Sequence, residues 1–359
     1  MNKKAAICEF GDSHDDILYG QFEFLKRSGY RTYFISNRKL EDRVSNYDNI
    51  DSKLFLDFGK GQSANFYQIY KTWQFIKSNL IDKVILNTIE GTPVRNFCLF
   101  PFGKTTVAGI IHNAGNLTGN SFTFDRIIKP KIKKMFTLAP YIWGNSGNNA
   151  DIKNEHIYPI KYPKHEITVR KPEGEFWLVI PGLVEKDRRD YLTFLDSIKG
   201  KSLPTNLKII LLGKSMHKNG AGALIKEFLT ANSLSSNFVL FDNFVENSVF
   251  RDYVMQADLF APLIHPGKGN FESYSTNKTS GTYLLAYANN APLMCHEYFL
   301  QYPDICDSSV FYNLDNLYEI LIDAVKKPDI IKNIRANIQN NQNFDFEFNR
   351  KKYISLIEL

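Results

Sequence analysis

The chain has 359 residues, about twice the usual domain size of roughly 100–200, which excludes a peptide, a minimal metal knuckle and a lone binding module. Its hydrophobic content of 43% and aromatic content of 14% exclude a disordered polymer. A net charge of +6 suits anionic small molecules, a phospholipid surface or weak nucleic-acid contact, and selects none of them.

The start, Met1 to Glu9, carries two lysines and an apolar run broken at once by an acid, which does not read as a secretory signal. No uncharged stretch reaches the roughly 18 residues needed to span a bilayer. Cys8, Cys98, Cys295 and Cys306 show neither a C-x-x-C pair nor a zinc spacing. The sequence therefore predicts a protein of a reducing cytoplasm that is not integral to a membrane and holds no closed metal site.

Short β-rich runs then alternate with amphipathic stretches, the pattern of a parallel sheet wrapped by helices. Strands are predicted near Ala5 to Phe10, Arg31 to Ser36, Leu54 to Phe58, Val84 to Thr88 and Val107 to His112. The loop after the first runs Gly11-Asp12-Ser13-His14-Asp15-Asp16 into a helix at about Ile17. It leaves His14 at the sheet edge beside acids able to orient it, with Asp15 and Asp16 the named supports. The strand ending Ile111-His112 delivers a second histidine to the same edge, followed by a glycine- and asparagine-rich run from Ala114 to Asn120. The lack of G-x-G-x-x-G disfavours a dinucleotide site. Next, Asp125 to Lys134 sets Arg126, Lys129, Lys131, Lys133 and Lys134 among isoleucines, with Pro130 interrupting the helix. Such a segment suits peripheral contact with anionic lipid at the inner membrane face, or an ordinary solvated face.

Residues 165–174 are polar and proline-bearing and are predicted to be a linker between a domain at 1–164 and a second at 175–335. Strands of the second are predicted near Phe176 to Ile180, Leu207 to Leu212, Phe238 to Phe241, Leu259 to Ile264 and Pro292 to Cys295. After the first of these, Gly182 lets backbone approach a ligand, and Arg188 or Arg189 is predicted to stand in the first helical turn. A guanidinium beside free helix amides is a good diphosphate receptor. A long polar loop then ends Lys278-Thr279-Ser280-Gly281 where a helix begins, a second natural phosphate site. Residues 336–359 end in an amphipathic helix.

These residues carry a resemblance. Phe241-Asp242-Asn243-Phe244-Val245-Glu246-Asn247, a helix, then Ala257-Asp258-Leu259-Phe260-Ala261-Pro262 is similar to the loop, helix and "AD" strand of the donor half of GT-B glycosyltransferases. Lys278 through Met294 resembles that family's donor-site helix with its following strand, and Gly182 to Tyr191 resembles its glycine turn. The resemblance implies an α/β fold of GT-B type, two Rossmann-like domains with parallel sheets facing across a cleft. The first domain would take the acceptor, and the final segment would pack back toward it. It also implies a nucleotide-sugar donor held by Gly182, Arg188, Arg189, Phe244, Lys278, Thr279, Ser280 and Gly281, with a glycan or lipid-linked glycan as acceptor.

Surface-polysaccharide synthesis, of capsule or lipopolysaccharide, is the setting the resemblance suggests, with no metal or other cofactor required. Retaining relatives of glycogen synthase carry two glutamates where this chain has Lys278 and Ala286, so the stereochemical outcome stays open. An inverting reaction needs a base, with His14 first and His112 second; a retaining one leaves these side chains to hold sugar hydroxyls. Two rivals remain: a sugar-nucleotide 2-epimerase, and a non-catalytic module for anionic lipid or RNA. Interspersed acids and the lack of an RNP-like motif argue against nucleic acid as a partner.

Overall fold

The computed structural model describes residues 3–59, 62–115, 121–144 and 151–359, which form two compact units. The first comprises the chain up to Pro163 together with Thr276–Thr279 and Asp345–Leu359; the second comprises Lys164–Ser275 and Ser280–Phe344.

In the first unit, strands β1 (Lys4–Glu9), β2 (Arg31–Asn37), β3 (Ser52–Leu56), β4 (Lys83–Leu86), β5 (Thr106–Ile111), β6 (Lys134–Thr137) and β7 (Lys153–His156) make one parallel sheet ordered β3-β2-β1-β4-β5-β6-β7. The interior strand β1 is buried from Ala5 to Glu9, as befits a strand covered on both faces. The helix Leu18–Arg27 packs Phe22 and Leu25 into the interior. Its Gly20 is required by closeness: a Cβ there would meet the Pro159 carbonyl oxygen at 2.2 Å. The last helix, Phe346–Glu358, belongs to this unit, with Tyr353 stacked on Phe136 at 4.8 Å between centroids.

The second unit holds β8 (Phe176–Pro181), β9 (Leu207–Lys214), β10 (Phe238–Phe241), β11 (Leu259–Phe260), β12 (Leu293–His296) and β13 (Ser309–Tyr312), parallel and ordered β10-β9-β8-β11-β12-β13. In both sheets the strand order reverses once, between β1 and β4 and between β8 and β11. Open α/β sheets bind ligands at such reversals, beyond the carboxyl ends of the strands.

Several expectations are corrected. β6, β7 and β13 are additional strands, and β6 begins at Lys134 inside the stretch read as a basic helical segment. Pro130 breaks nothing: it sits in the first turn of Lys129–Lys131, directly after a π-helical turn at Phe124–Ile128, where its missing N–H is not needed. The predicted linker 165–174 belongs to the second unit, and the crossing back to the first begins at Asp345, after the helix Pro328–Asn340 has ended. The linker is fastened by Asp252, a fully buried carboxylate that accepts from the Thr168 hydroxyl at 2.6 Å, the Val169 amide at 2.8 Å and His165 Nε2 at 2.6 Å.

Burial alone would raise the Asp252 carboxyl, but the donors from Thr168, Val169 and His165 outweigh it and hold it at about 2. Asp252→Asn keeps one acceptor oxygen and loses the charge, and is expected to cost about 1–2 kcal/mol in urea unfolding at neutral pH. The folded carboxyl lies below its ordinary value of 3.8, so this contribution is complete above about pH 4 and lost as pH falls toward 2. An unchanged urea midpoint would show that the strap is held by other contacts.

Candidate functional site

In the second unit the reversal point is framed by the loop after β8 and the loop after β11. Gly182 has φ +99°, and its carbonyl lies so close to Gly213 that a Cβ there would meet the oxygen at 2.1 Å. Two glycines are therefore needed for the turn to fold flat against β9. The Arg189 guanidinium, 7% exposed, packs on this turn, within 3.2 Å of the Cβ position of Gly182. One terminal nitrogen of Arg189 donates to the Pro181 carbonyl and lies 3.5 Å from the Thr282 hydroxyl. Its Nε and Nη1 have no partner among the described residues. Burial lowers the Arg189 pKa from its ordinary value, the expected consequence of an ion short of partners.

Ser280 caps the helix Gly281–Ala288 by accepting from Thr282 N at 3.3 Å, which sets the free amides of that helix beside the same turn. Gly182, Arg189, Ser280 and Gly281 are thus brought to one edge of the second sheet. Arg188 and Arg189 do not stand in the first helical turn as expected; the helix begins at Tyr191 with Asp190 as its cap, so both precede it. Arg188 is exposed, as is Phe244, at 66%, in the loop after β10.

Asp190 does more than cap. Its other oxygen bonds His265 Nδ1 at 2.8 Å, and His265 Nε2 bonds the Tyr312 hydroxyl at 2.6 Å, with His265 fully buried. Burial would raise Asp190, but the bonds from His265 and Thr193 prevail and hold it at about 2. This relay ties the end of the β8 loop to β11 and β13, and so fixes the residue next to Arg189. Sequence reading missed it, although His265 stands just past an apolar strand run.

In the first unit, the reversal point lies between the loops after β1 and β4. His14 adopts φ +65°, a left-handed conformation uncommon outside glycine, and its ring lies against that of His112, tilted by 32° with centroids 3.9 Å apart. The Asn87 side chain donates to the His14 carbonyl at 2.9 Å and to Glu9 Oε2 at 2.7 Å. Glu9 also accepts from Thr88 at 2.6 Å and from the Gly11 amide at 2.7 Å. Burial raises the Glu9 carboxyl despite these donors. Behind Asn87, Gln21 donates to it at 2.6 Å and accepts from the Tyr353 hydroxyl at 3.2 Å, so the last helix of the chain braces the histidine loop.

His112 Nε2 donates to the Asn87 carbonyl at 2.8 Å, which assigns its proton to that nitrogen. Burial and the neighbouring His14 depress its pKa, so His112 stays neutral. Glu90, at the N-cap of the helix Gly91–Cys98, was not anticipated. Burial raises its carboxyl, with the Asn113 amide, His14 and Lys278 partly offsetting that rise, and its Oε1 has no partner among the described residues.

Lys278 and Thr279 belong to this first unit, where Tyr141 donates to the Lys278 carbonyl at 3.0 Å and the Ala114 amide to that of Asn277 at 2.9 Å. The segment was expected to act with Ser280 and Gly281 on phosphate; the Lys278 ammonium lies in the field of Glu90. Asp15 does not support His14, since it bonds Arg43 at 2.9 Å. Asp16 is an exposed residue whose carboxyl is raised to about 6 by its crowded setting and by the adjacent Asp15. The carboxylates felt by His14 are Glu9 and Glu90. Of the predicted glycine- and asparagine-rich loop, residues 116–120 lie outside the described residues.

No family model matches the chain, and no curated protein matches it in sequence. Among solved structures it is similar to a glycosyltransferase from Rickettsia africae, at 12% identity and a TM-score of 0.65 over 100% of this chain and 98% of that one. HepE from Anabaena in complex with UDP-glucose is 13% identical with a TM-score of 0.66, over 99% and 100% of the two chains. A UDP-GlcNAc 2-epimerase from Neisseria meningitidis bound to UDP-GlcNAc is 10% identical with a TM-score of 0.62, over 99% of each. The fold is therefore the GT-B type that the sequence resemblance implied, built from parallel sheets of seven and six strands.

Proposed function

We propose that the protein is a glycosyltransferase that moves a sugar from a UDP-sugar to a hydroxyl of a glycan or glycolipid. The observation that carries this reading is Arg189, a buried guanidinium with two nitrogens lacking partners, beside the Gly182 turn and the Gly281 helix start. A diphosphate supplies the acceptor oxygens that such a cation lacks. The choice of uridine nucleotide is supported by the UDP-sugars held in two of the similar structures.

In the proposed reaction the acceptor hydroxyl gives its proton to the His14 imidazole as its oxygen bonds the anomeric carbon. The bond from that carbon to the diphosphate breaks, and its electron pair leaves on the phosphate oxygen, where Arg189 and the amides at Gly281 meet the charge. Glu9 and Glu90 stabilise the imidazolium that forms. His112, neutral and set against the ring, holds it without competing for the proton. A protein base makes the transfer inverting. The scheme uses side-chain cations at the leaving group and assigns no role to a metal. The cytoplasmic, surface-polysaccharide setting implied by the resemblance is part of this proposal.

UDP is expected to raise the melting temperature more than GDP, CDP, ADP or CMP, reaching about 2.7 kcal/mol of stabilisation at roughly a hundredfold excess over Kd. No response to UDP would remove the donor assignment. An isomerised nucleotide sugar formed without acceptor would replace transfer by epimerisation.

A further inference from the structure

A second feature of the first unit lies outside this chemistry. Residues 61–81 contain no acid, and residues 91–150 contain one, Asp125, beside Arg95, Lys104, Arg126, Lys129, Lys131, Lys133 and Lys134. The fold brings much of this material together, because the helix Gln62–Ser78 packs on the helix Gly91–Cys98, which packs on the turn Phe124–Ile128.

The helix Gln62–Ser78 turns Ile69, Thr72 and Ile76 into the core. A different stripe, Phe66, Tyr70 and Trp73 at i, i+4 and i+7, leans on Phe100 with ring centroids 5.3, 6.4 and 5.8 Å away. This cluster is not core: Phe66 is 47% exposed, Tyr70 38%, and the adjoining Tyr67 and Leu99 55% and 57%. The indole N–H of Trp73 is spent on the Pro101 carbonyl at 2.8 Å, and the Tyr70 hydroxyl accepts from the Gln74 amide at 2.8 Å. Lysines rim it. Lys71 lies 4.5 Å over the Tyr67 ring and Lys131 5.1 Å over the Phe102 ring, while Lys77 donates to the Phe102 carbonyl at 3.0 Å. Lys104 is exposed beside them. None of these four enters an ion pair among the described residues. Lys134 takes no part; it starts β6, near the carbonyl of Ile357.

We infer that this face docks on an anionic phospholipid surface. Contiguous exposed aromatic side chains exceed the scattered apolar residues of an ordinary surface. Tyrosine and tryptophan suit the head-group level, phenyl and leucine side chains the acyl boundary, and unpaired lysines the lipid phosphates. Single-stranded nucleic acid fits less well, because the rings around Phe100 tilt against one another at 36–42° and cover the faces on which bases would stack. Among the described residues no helix is long and apolar enough to cross a membrane, so the contact is at the surface.

The test is cosedimentation of the full chain with vesicles of phosphatidylcholine, alone or mixed with phosphatidylglycerol. Binding is expected only to the mixed vesicles, and it weakens with added salt. The paired variant Lys71→Glu/Lys104→Glu should lose at least about thirtyfold in partitioning, since each cation near the surface contributes about fivefold. Tyr67→Ser/Leu99→Ser should also lose binding. Tyr67, Leu99 and Lys104 are exposed and Lys71 is half-buried, and an unchanged melting temperature certifies the fold of each variant. Equal binding to both vesicle types, no binding to either, variants that bind like the parent, or capture of single-stranded RNA in place of vesicles would each overturn the inference. The response to UDP reads the donor assignment separately, so either proposal can fail while the other stands.

Discussion

Replacing His14 by Ala is expected to lower kcat for sugar transfer by about 10²–10⁴-fold, the range for removing a positioned general base, with UDP affinity unchanged. The prediction rests on how much structure is committed to this one side chain. A non-glycine residue at φ +65° costs backbone energy, and the Asn87 amide pins the carbonyl that makes the conformation possible. The ring lies against a histidine whose basicity burial depresses, so His112 is a poor substitute for it. Glu90→Gln should lower kcat less, because it removes one of two nearby charges and leaves Glu9 in place. His112→Asn should fall between the two, since it removes the ring that packs against His14. If His14→Ala instead lost UDP affinity and kept its kcat, His14 would be a donor ligand, and the base would have to be sought elsewhere.

The strands were legible where apolar runs were long. β1, β2, β8 and β9 are buried almost throughout, and their sequences say so. β7 was not, because Lys-Asn-Glu-His is an edge strand with two exposed and two half-buried residues and no apolar pattern to read. β6 and β13 have four residues each, too few to show a period. The histidine and arginine loops were found because a polar loop following an apolar strand run is a local signal. Their supports were hidden because they come from distant sequence: Asp190 meets His265 across 75 residues, and Asn87 meets Glu9 across 78. Glu9 and Glu90 had a faint local signature, acids at or just past the end of an apolar run. The charged neighbours Asp15 and Asp16 drew attention away from them, yet adjacency in sequence is not adjacency in a 3₁₀ turn, and Asp15 turns to Arg43. The polar composition of 165–174 was real, but composition could not reveal that Asp252 would bind it.

Arg189→Ala is expected to weaken UDP binding by about 1–3 kcal/mol in calorimetry, the range for hydrogen bonds to a charged group. The melting temperature of the ligand-free protein should not fall. That combination separates a ligand-binding arginine from a structural one. A buried ion satisfied by the protein destabilises when removed, because its partners are left bare. Arg189 spends one nitrogen on the Pro181 carbonyl and leaves two without partners, so its removal relieves about as much desolvation as it forfeits bonding. Arg189→Lys should not restore affinity, since a single ammonium cannot reach the Pro181 carbonyl and present a planar fork to a diphosphate at once. Arg188→Ala, at an exposed position, should cost less than Arg189→Ala, because solvent screens its charge. Unaltered UDP affinity in Arg189→Ala with a lower melting temperature would make the guanidinium a strut of the β8 turn, and the donor reading would lose the buried cation that recommends it.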